Sequence, residues 1–207
     1  VIDTPVLQWG HLEQIRRQTT VSTITLPMVY QPDLTDVKHN EYILEAAVLK
    51  VCEQVELAAK NNIGIIILSD IAISAEFAAI PALLMIAAAN QHLVKQGLRF
   101  NSSLIAETGQ AVSPHDIATL LGFGASAIYP VSVYNRIISH YPVAEHQKVL
   151  YKFQKGTEKS LMKTMGKFGL CTVESYIGGE FFESNYLDTD EPRLSCYFPN
   201  IHASVGG

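Results

Sequence analysis

Cysteine is scarce in this chain of 207 residues, limited to Cys52, Cys171 and Cys196, which lie far apart. An odd, scattered set excludes a disulfide framework, and the lack of any CxxC pair excludes that form of zinc or redox site. The pattern fits a reducing, cytoplasmic setting. Charge is also sparse, at 17% of residues, and no Lys/Arg block interrupts a balance of 15 basic against 20 acidic side chains. With a net charge of −5, nucleic acid and anionic membrane are poor partners. Long apolar runs are missing too. The longest uncharged one, Phe77 to Ala89, is shorter than the roughly 20 residues that span a bilayer and contains Pro81, so it reads as a buried helix. No basic segment followed by an apolar one opens the chain, which argues against a secretory signal. Its start at Val1, without a methionine, reads as an excised or processed piece.

Several catalytic signatures are absent as well. Gly122-Phe-Gly124-Ala-Ser-Ala lacks the third glycine of a dinucleotide fingerprint and precedes a strand pattern, whereas phosphate binding needs its glycines after one. There is no Walker GxxxxGK[ST], no GxSxG elbow and no cysteine group able to hold an iron–sulfur cluster.

What is present is β/α alternation. Apolar residues make up 48% of the chain, enough for the packed interior of a single domain over residues 1–207, with a linker-like lead-in at 1–20 and a tail at 187–207. Val21–Leu26 alternates like a strand, while Ile63–Leu68 is apolar at every position, as a parallel strand covered on both faces must be. Ser103–Ala106, Ala125–Tyr129 and Leu170–Val173 complete five strand candidates. Leu44, Val48, Val51, Val55 and Ala58 share one helical face that Asn61-Asn62 ends. Ile80–Gln96 has Pro81 in its first turn and Gly97 at its end. Ser113-Pro-His-Asp116 has the form of a capped helix start, running to Gly122, and a long helix covers about Gln147 to Lys167. The segment Leu187–Pro192 reads as surface loop. This order implies an α/β fold of parallel strands in an incomplete TIM-like barrel, with a five-stranded doubly wound sheet as the alternative; an eight-fold barrel usually needs about 250 residues.

In such folds the carboxyl ends of the strands carry function. Here those ends offer Ser69, Asp70, Glu107, Thr108, Glu174 and Ser175, and three carboxylates on one rim suit acid–base chemistry or a divalent cation. The plainer reading is that polar groups end strands because the chain leaves the core there and caps the next helix. His115 sits at a helix start, where the dipole favours a neutral ring, yet it has no HxxxH partner, and a local packing or capping role is the stronger reading over that of a ligand. His92, His140 and His146 read as surface. The Gly178-Gly179 pair reads as a turn.

The wording of the chain goes further than its periodicity. Ile67-Leu-Ser-Asp70, Ile80-Pro-Ala-Leu-Leu84, Gly97-Leu-Arg99, Glu107-Thr-Gly109, Leu120-Leu-Gly-Phe-Gly-Ala125 and Ala127-Ile-Tyr-Pro130 occur in order. Leu161-Met-Lys163, Met165-Gly-Lys-Phe-Gly169, Ser175-Tyr-Ile-Gly178, Phe182-Glu183 and Tyr197-Phe198 follow, and Thr4-Pro-Val-Leu7 with Leu12 and Ile15 introduces them. The series resembles the central domain of the large subunit of glutamate synthase over nearly the whole chain.

That resemblance implies a part of a large oxidoreductase of ammonia assimilation and glutamate biosynthesis, which makes two glutamates from glutamine and 2-oxoglutarate. In the family a glutaminase domain with a cysteine nucleophile releases ammonia, which travels through an internal tunnel to an FMN barrel beside a 3Fe–4S cluster. The central domain, a degenerate relative of that barrel, has both as neighbours. None of the family's catalytic, flavin or cluster residues maps onto this chain, so the resemblance implies a linking and channelling role, with no catalysis by the chain itself and with homo-oligomerisation open. The chain also departs from the family. Ile71, Ile177 and Ser204 stand where the family has arginines, which removes any anion contact made there and points to a divergent enzyme or a paralogue. A free-standing barrel using Asp70, Glu107, His115 and Glu174 is the alternative, and it requires those groups to meet in one pocket.

Overall fold

The computed structural model describes residues 3–185 and 188–205. The elements follow one another as α1 (Trp9–Arg17), β1 (Thr23–Pro27), β2 (Val29–Tyr30), α2 (Asn40–Lys60), β3 (Ile65–Ser69), β4 (Ala78–Ala79) and α3 (Ala82–Lys95). Then come β5 (Ser103–Thr108), α4 (Pro114–Gly122), β6 (Ala127–Pro130), α5 (Val131–His140), α6 (Val143–Lys167) and α7 (Val173–Tyr176). The last are β7 (Ser184–Asn185), α8 (Pro192–Ser195) and β8 (Ala203–Val205).

Four strands form the main sheet in the order β1-β3-β5-β6, all parallel. Strand order follows chain order without reversal. That is the winding of a barrel, whereas a doubly wound sheet reverses at a switch point. Among the described residues the sheet does not close, so it is a barrel sector. Its outer edge at β6 is covered by the lead-in of the chain: Leu7 N donates to Ile128 O and Ile128 N to Pro5 O, each at 2.8 Å. An edge strand left bare would expose unpaired amides and carbonyls. Residues 5–17 are therefore built into the fold, and Leu7, Leu12 and Ile15 are buried.

Alternation along the strands separates two cores. Ile66, Leu68, Leu104, Ala106 and Ile128 face α2, α3 and α4. Ile67, Ile105, Ala127 and Tyr129 face α1 and α5. β3 reads as continuously apolar because both faces are covered. A third, smaller cluster packs Phe198 and Ile201 of the tail on Ala87 and Phe123.

The helix boundaries follow their caps. Ser113 and Asp116 form a reciprocal capping box with Pro at the first turn of α4. Gly97 takes φ +69° just beyond α3, the left-handed position that favours glycine. Within the stretch expected to be helix from Phe77, the first residues pair instead as β4 with β2, and α3 begins at Ala82.

One strand expectation fails. Leu170–Val173 makes no ladder and leads into the single-turn helix α7. Gly169, at φ +72°, ends α6, and the Thr172 hydroxyl then accepts from Ser175 N, which turns the chain into a helix before a strand can form. Leu187 of the segment read as surface loop lies outside the described residues. Beyond it Pro192 opens α8, and Thr189 is buried.

Candidate functional site

The carboxyl ends of β3 and β5 lie side by side, with Leu68 opposite Ala106 and Ser69 opposite Glu107. Ser69, Asp70, Glu107 and Thr108 are all buried. Side-chain alternation divides them. Asp70 and Thr108 point to the α3 face, while Ser69 and Glu107 point to the α1 face.

On the α3 face, Asp70 is saturated with donors. Its carboxylate accepts from Thr108 Oγ1 at 2.6 Å, from Gly109 N at 2.9 Å and from Gln110 Nε2 at 3.1 Å. Gln110 also donates to Ile80 O at 3.0 Å and accepts from Ala82 N at 2.9 Å. The network thus ties the ends of two strands to the start of α3. Gly109 admits this approach because a Cβ there would stand 2.8 Å from Ser132 Oγ.

On the α1 face, Arg16 Nη2 donates to Glu107 Oε2 at 2.7 Å, and Arg16 also pairs with Glu13 at 3.5 Å. Burial raises the Tyr129 phenol above its usual range, and the neighbouring Glu107 carboxylate adds to that. Ser69 Oγ accepts from Ile71 N at 3.4 Å.

The other expected site residues lie elsewhere. His115 is exposed on the first turn of α4, its ring edge-on to Phe182 at 5.9 Å. Glu174 and Ser175 are exposed on α7, so they end no strand. The structure sets Asp70 with Thr108 on one face of the sheet and Ser69 with Glu107 on the other, while His115 lines a hollow with Gln110, and Glu174 and Ser175 lie on α7. Arg16 and Gln110 are the partners that sequence reading missed. Leu12 and Ile15, three apart and followed by Arg16, were the available sign that the lead-in is a packed helix with a cation on it.

Around this filled rim the loops present apolar side chains. Ile71, Ile73 and Phe77 after β3 and Val112 after β5 are exposed. Ile71 thus stands in solvent. Ile177 is half-buried at the end of α7, and Ser204 falls within β8.

No three His, Cys, Asp or Glu side chains among the described residues group closely enough to hold a metal ion. The three cysteines do not fit an iron–sulfur cluster either. Cys52 is buried on α2, Cys171 is exposed between α6 and α7, and Cys196 follows α8. Burial pushes the Cys52 thiol up to about 12, the opposite of what a thiolate ligand needs. A flavin phosphate in a TIM barrel usually rests on loops after strands seven and eight, and the main sheet here has four strands. No helix among the described residues is long and apolar enough to cross a membrane.

Residues 1–188 match the family described as glutamate synthase central domain. The NADPH glutamate synthase large chain of Bacillus subtilis is 31% identical over 189 residues, covering 88% of this chain and 12% of that protein. The chloroplastic ferredoxin-dependent glutamate synthase 2 of Arabidopsis thaliana is 30% identical over 224 residues, covering 100% of this chain and 13% of that protein. This chain therefore spans only about an eighth of the curated relatives it matches. Among solved structures, a mutant flavocytochrome b2 with benzoylformate superposes with a TM-score of 0.51 at 15% identity, covering 84% of this chain and 38% of that one. Another, with pyruvate bound, also gives 0.51 at 15% identity, over 98% and 43%. At such identity the likeness is one of fold.

Proposed function

Because this chain belongs to the glutamate synthase central-domain family, we propose that it is the spacer of a larger, cytoplasmic glutamate synthase. In that role it holds a glutaminase domain and an FMN domain in fixed relation and forms part of the wall along which ammonia passes between them. The parent reaction converts glutamine, 2-oxoglutarate and reductant into two glutamates. FMN and a 3Fe–4S cluster would reside in the neighbouring domain, since the residues here fit neither. Residues 1–207 act as one domain, and the chain alone turns nothing over. Fixing two reactive centres at a set distance is a proximity effect, and it needs a stiff body between them.

One observation carries this reading: the strand-end carboxylates are consumed by internal partners, Asp70 by Thr108, Gly109 and Gln110, and Glu107 by Arg16. A rim filled in this way has its two carboxylates committed to holding the fold. It leaves Ile71, Ile73, Phe77 and Val112 as the groups presented outward, a surface suited to burial against other domains. A wall for neutral ammonia likewise calls for few free carboxylic acids, which would trap it as ammonium. Against the free-standing barrel reading, Asp70 and Glu107 are engaged on opposite faces of the sheet and Glu174 is exposed on α7.

The test is coupling in the full-length enzyme. Ile73→Asp and Phe77→Asp place charges on the rim without touching the core. The spacer reading expects glutamine hydrolysis to outrun glutamate formation, with free ammonia released. An unchanged ratio, together with turnover by the purified chain, would overturn it.

A further inference from the structure

A hollow lies at the carboxyl end of the sheet, beside the filled rim, with which it shares Val112. Its volume is about 770 Å³, within the range of roughly 300–1,000 Å³ usual for small-molecule sites. α5 forms one wall. Ser132, Arg136 and His140 recur every fourth residue along that helix and line the hollow together. Val112 from the loop after β5, Ile137 and Phe153 of α6 supply an apolar side. Phe153 is fixed there by an edge-on contact with Tyr134 at 5.8 Å between ring centres.

The electrostatics are one-sided. Among the described residues no carboxylate lines the hollow, although the chain carries a net charge of −5. Among the described residues the Arg136 guanidinium has neither an ion pair nor a hydrogen bond, whereas Arg16 pairs with Glu107 and Arg193 with Glu41 and Glu191. Arg136 is tethered through its own backbone: Ser139 Oγ donates to Arg136 O at 3.1 Å, and His140 Nδ1 lies 3.0 Å from the same oxygen. The same ring nitrogen lies 2.9 Å from Ser139 Oγ, so Nδ1 is engaged within the helix and Nε2 is left for the hollow or solvent. These contacts engage only the Arg136 carbonyl, and its exposed guanidinium remains unspent. A planar fork of this kind matches a carboxylate by two parallel hydrogen bonds.

The geometry points to a binding site for a small organic carboxylate with an apolar body, its head on Arg136 and Ser132 and its tail against Val112, Ile137 and Phe153. Bare inorganic anions would gain only the charge contact. The hollow opens where βα folds bind ligands, at the ends of two adjacent strands.

The test uses the 207-residue chain, with hexanoate and inorganic phosphate as probes, followed by amide NMR shifts at low salt, where charge contacts are least screened. Saturable binding of hexanoate is expected, with the shifts centred on Val112, Ile137 and Phe153 and phosphate at least tenfold weaker. Arg136→Gln weakens hexanoate at least tenfold, Arg136→Lys less, and Arg17→Gln, at another exposed cation, not at all. Absence of saturable binding, equal affinity for phosphate, shifts centred elsewhere, or no loss in Arg136→Gln would each overturn the site. All three variants lie on exposed positions, so loss of fold does not enter the comparison.

Discussion

The Asp70 carboxylate sits 2.6 Å from the Thr108 hydroxyl, across the ends of two neighbouring parallel strands, and both side chains are buried. A carboxylate in that position survives burial only because every donor around it is aimed inward. Asp70→Asn keeps the shape but puts an NH2 in place of one oxygen, facing either Gly109 N or the Gln110 Nε2 donor. The expected loss is about 1–3 kcal/mol of stability, the range for leaving buried donors unsatisfied. Urea unfolding of the purified chain measures it as a lower midpoint.

Arg16 and Glu107 are expected to be energetically coupled. Glu107 is buried to 2% side-chain exposure, while Arg16 retains 25%. Arg16→Gln strands a carboxylate in the core. Its cost falls below the roughly 3–5 kcal/mol of a fully buried pair, at about 2 kcal/mol, because water still reaches the arginine. A double-mutant cycle with Glu107→Gln gives a coupling on the order of 1 kcal/mol. Additive losses would mean that the ion pair does not hold α1 to the sheet.

Gly124 cannot accept a side chain. Its φ is +123°, and an added Cβ would meet Asn90 at 2.5 Å. Asn90 in turn accepts from Arg99 Nε at 2.6 Å, and Arg99 Nη2 donates to Gly124 O at 2.9 Å. Gly124→Ala therefore combines backbone strain of roughly 1–3 kcal/mol with the displacement of Asn90 from Arg99. A drop in Tm of several degrees is expected. Gly156→Ala is the control, since nothing lies within 4 Å of its Cβ position.

Stability falls at alkaline pH. Burial raises the phenols of Tyr176 and Tyr197 to about 12 and the Cys52 thiol to about 12, and it also raises Tyr129 and Tyr134. Each group keeps its proton in the folded chain after its unfolded counterpart has lost it. Their contribution is whole below the unfolded values, about 8.5 for a thiol and 10 for a phenol, and is lost as pH climbs through the folded ones. The denaturation midpoint should be flat from neutrality to about pH 8.5 and then decline. Tyr134→Phe, which gives up the 2.7 Å hydrogen bond to Leu7 O, should make that decline shallower while lowering stability at neutral pH.

The parallel sheet was legible because β3 is apolar on both faces, a demand that only covered strands make. The start of α4 was legible from Ser113, Pro114 and Asp116, whose chemistry is local. Leu170–Val173 misled because four residues with apolar ends suit a strand or a lead into a helix, and Gly169 with Thr172 decides between them through a turn and a cap. Arg16 was hidden because its partner Glu107 lies 91 residues away, a pairing that no local pattern encodes. Asp70 and Glu107 were found as strand-end carboxylates, but their engagement on opposite faces appears only once Gln110 and α1 are placed.

The claim that these two carboxylates build the spacer and do not react is tested most directly in the full-length enzyme. The measurement is kcat for glutamine-dependent glutamate formation, per folded molecule, in Asp70→Asn and Glu107→Gln, alongside Tm. The account predicts that kcat stays within about threefold of the unmodified enzyme while Tm falls. A loss of about a hundredfold or more, the scale of removing an acid–base group, with Tm unchanged would contradict it.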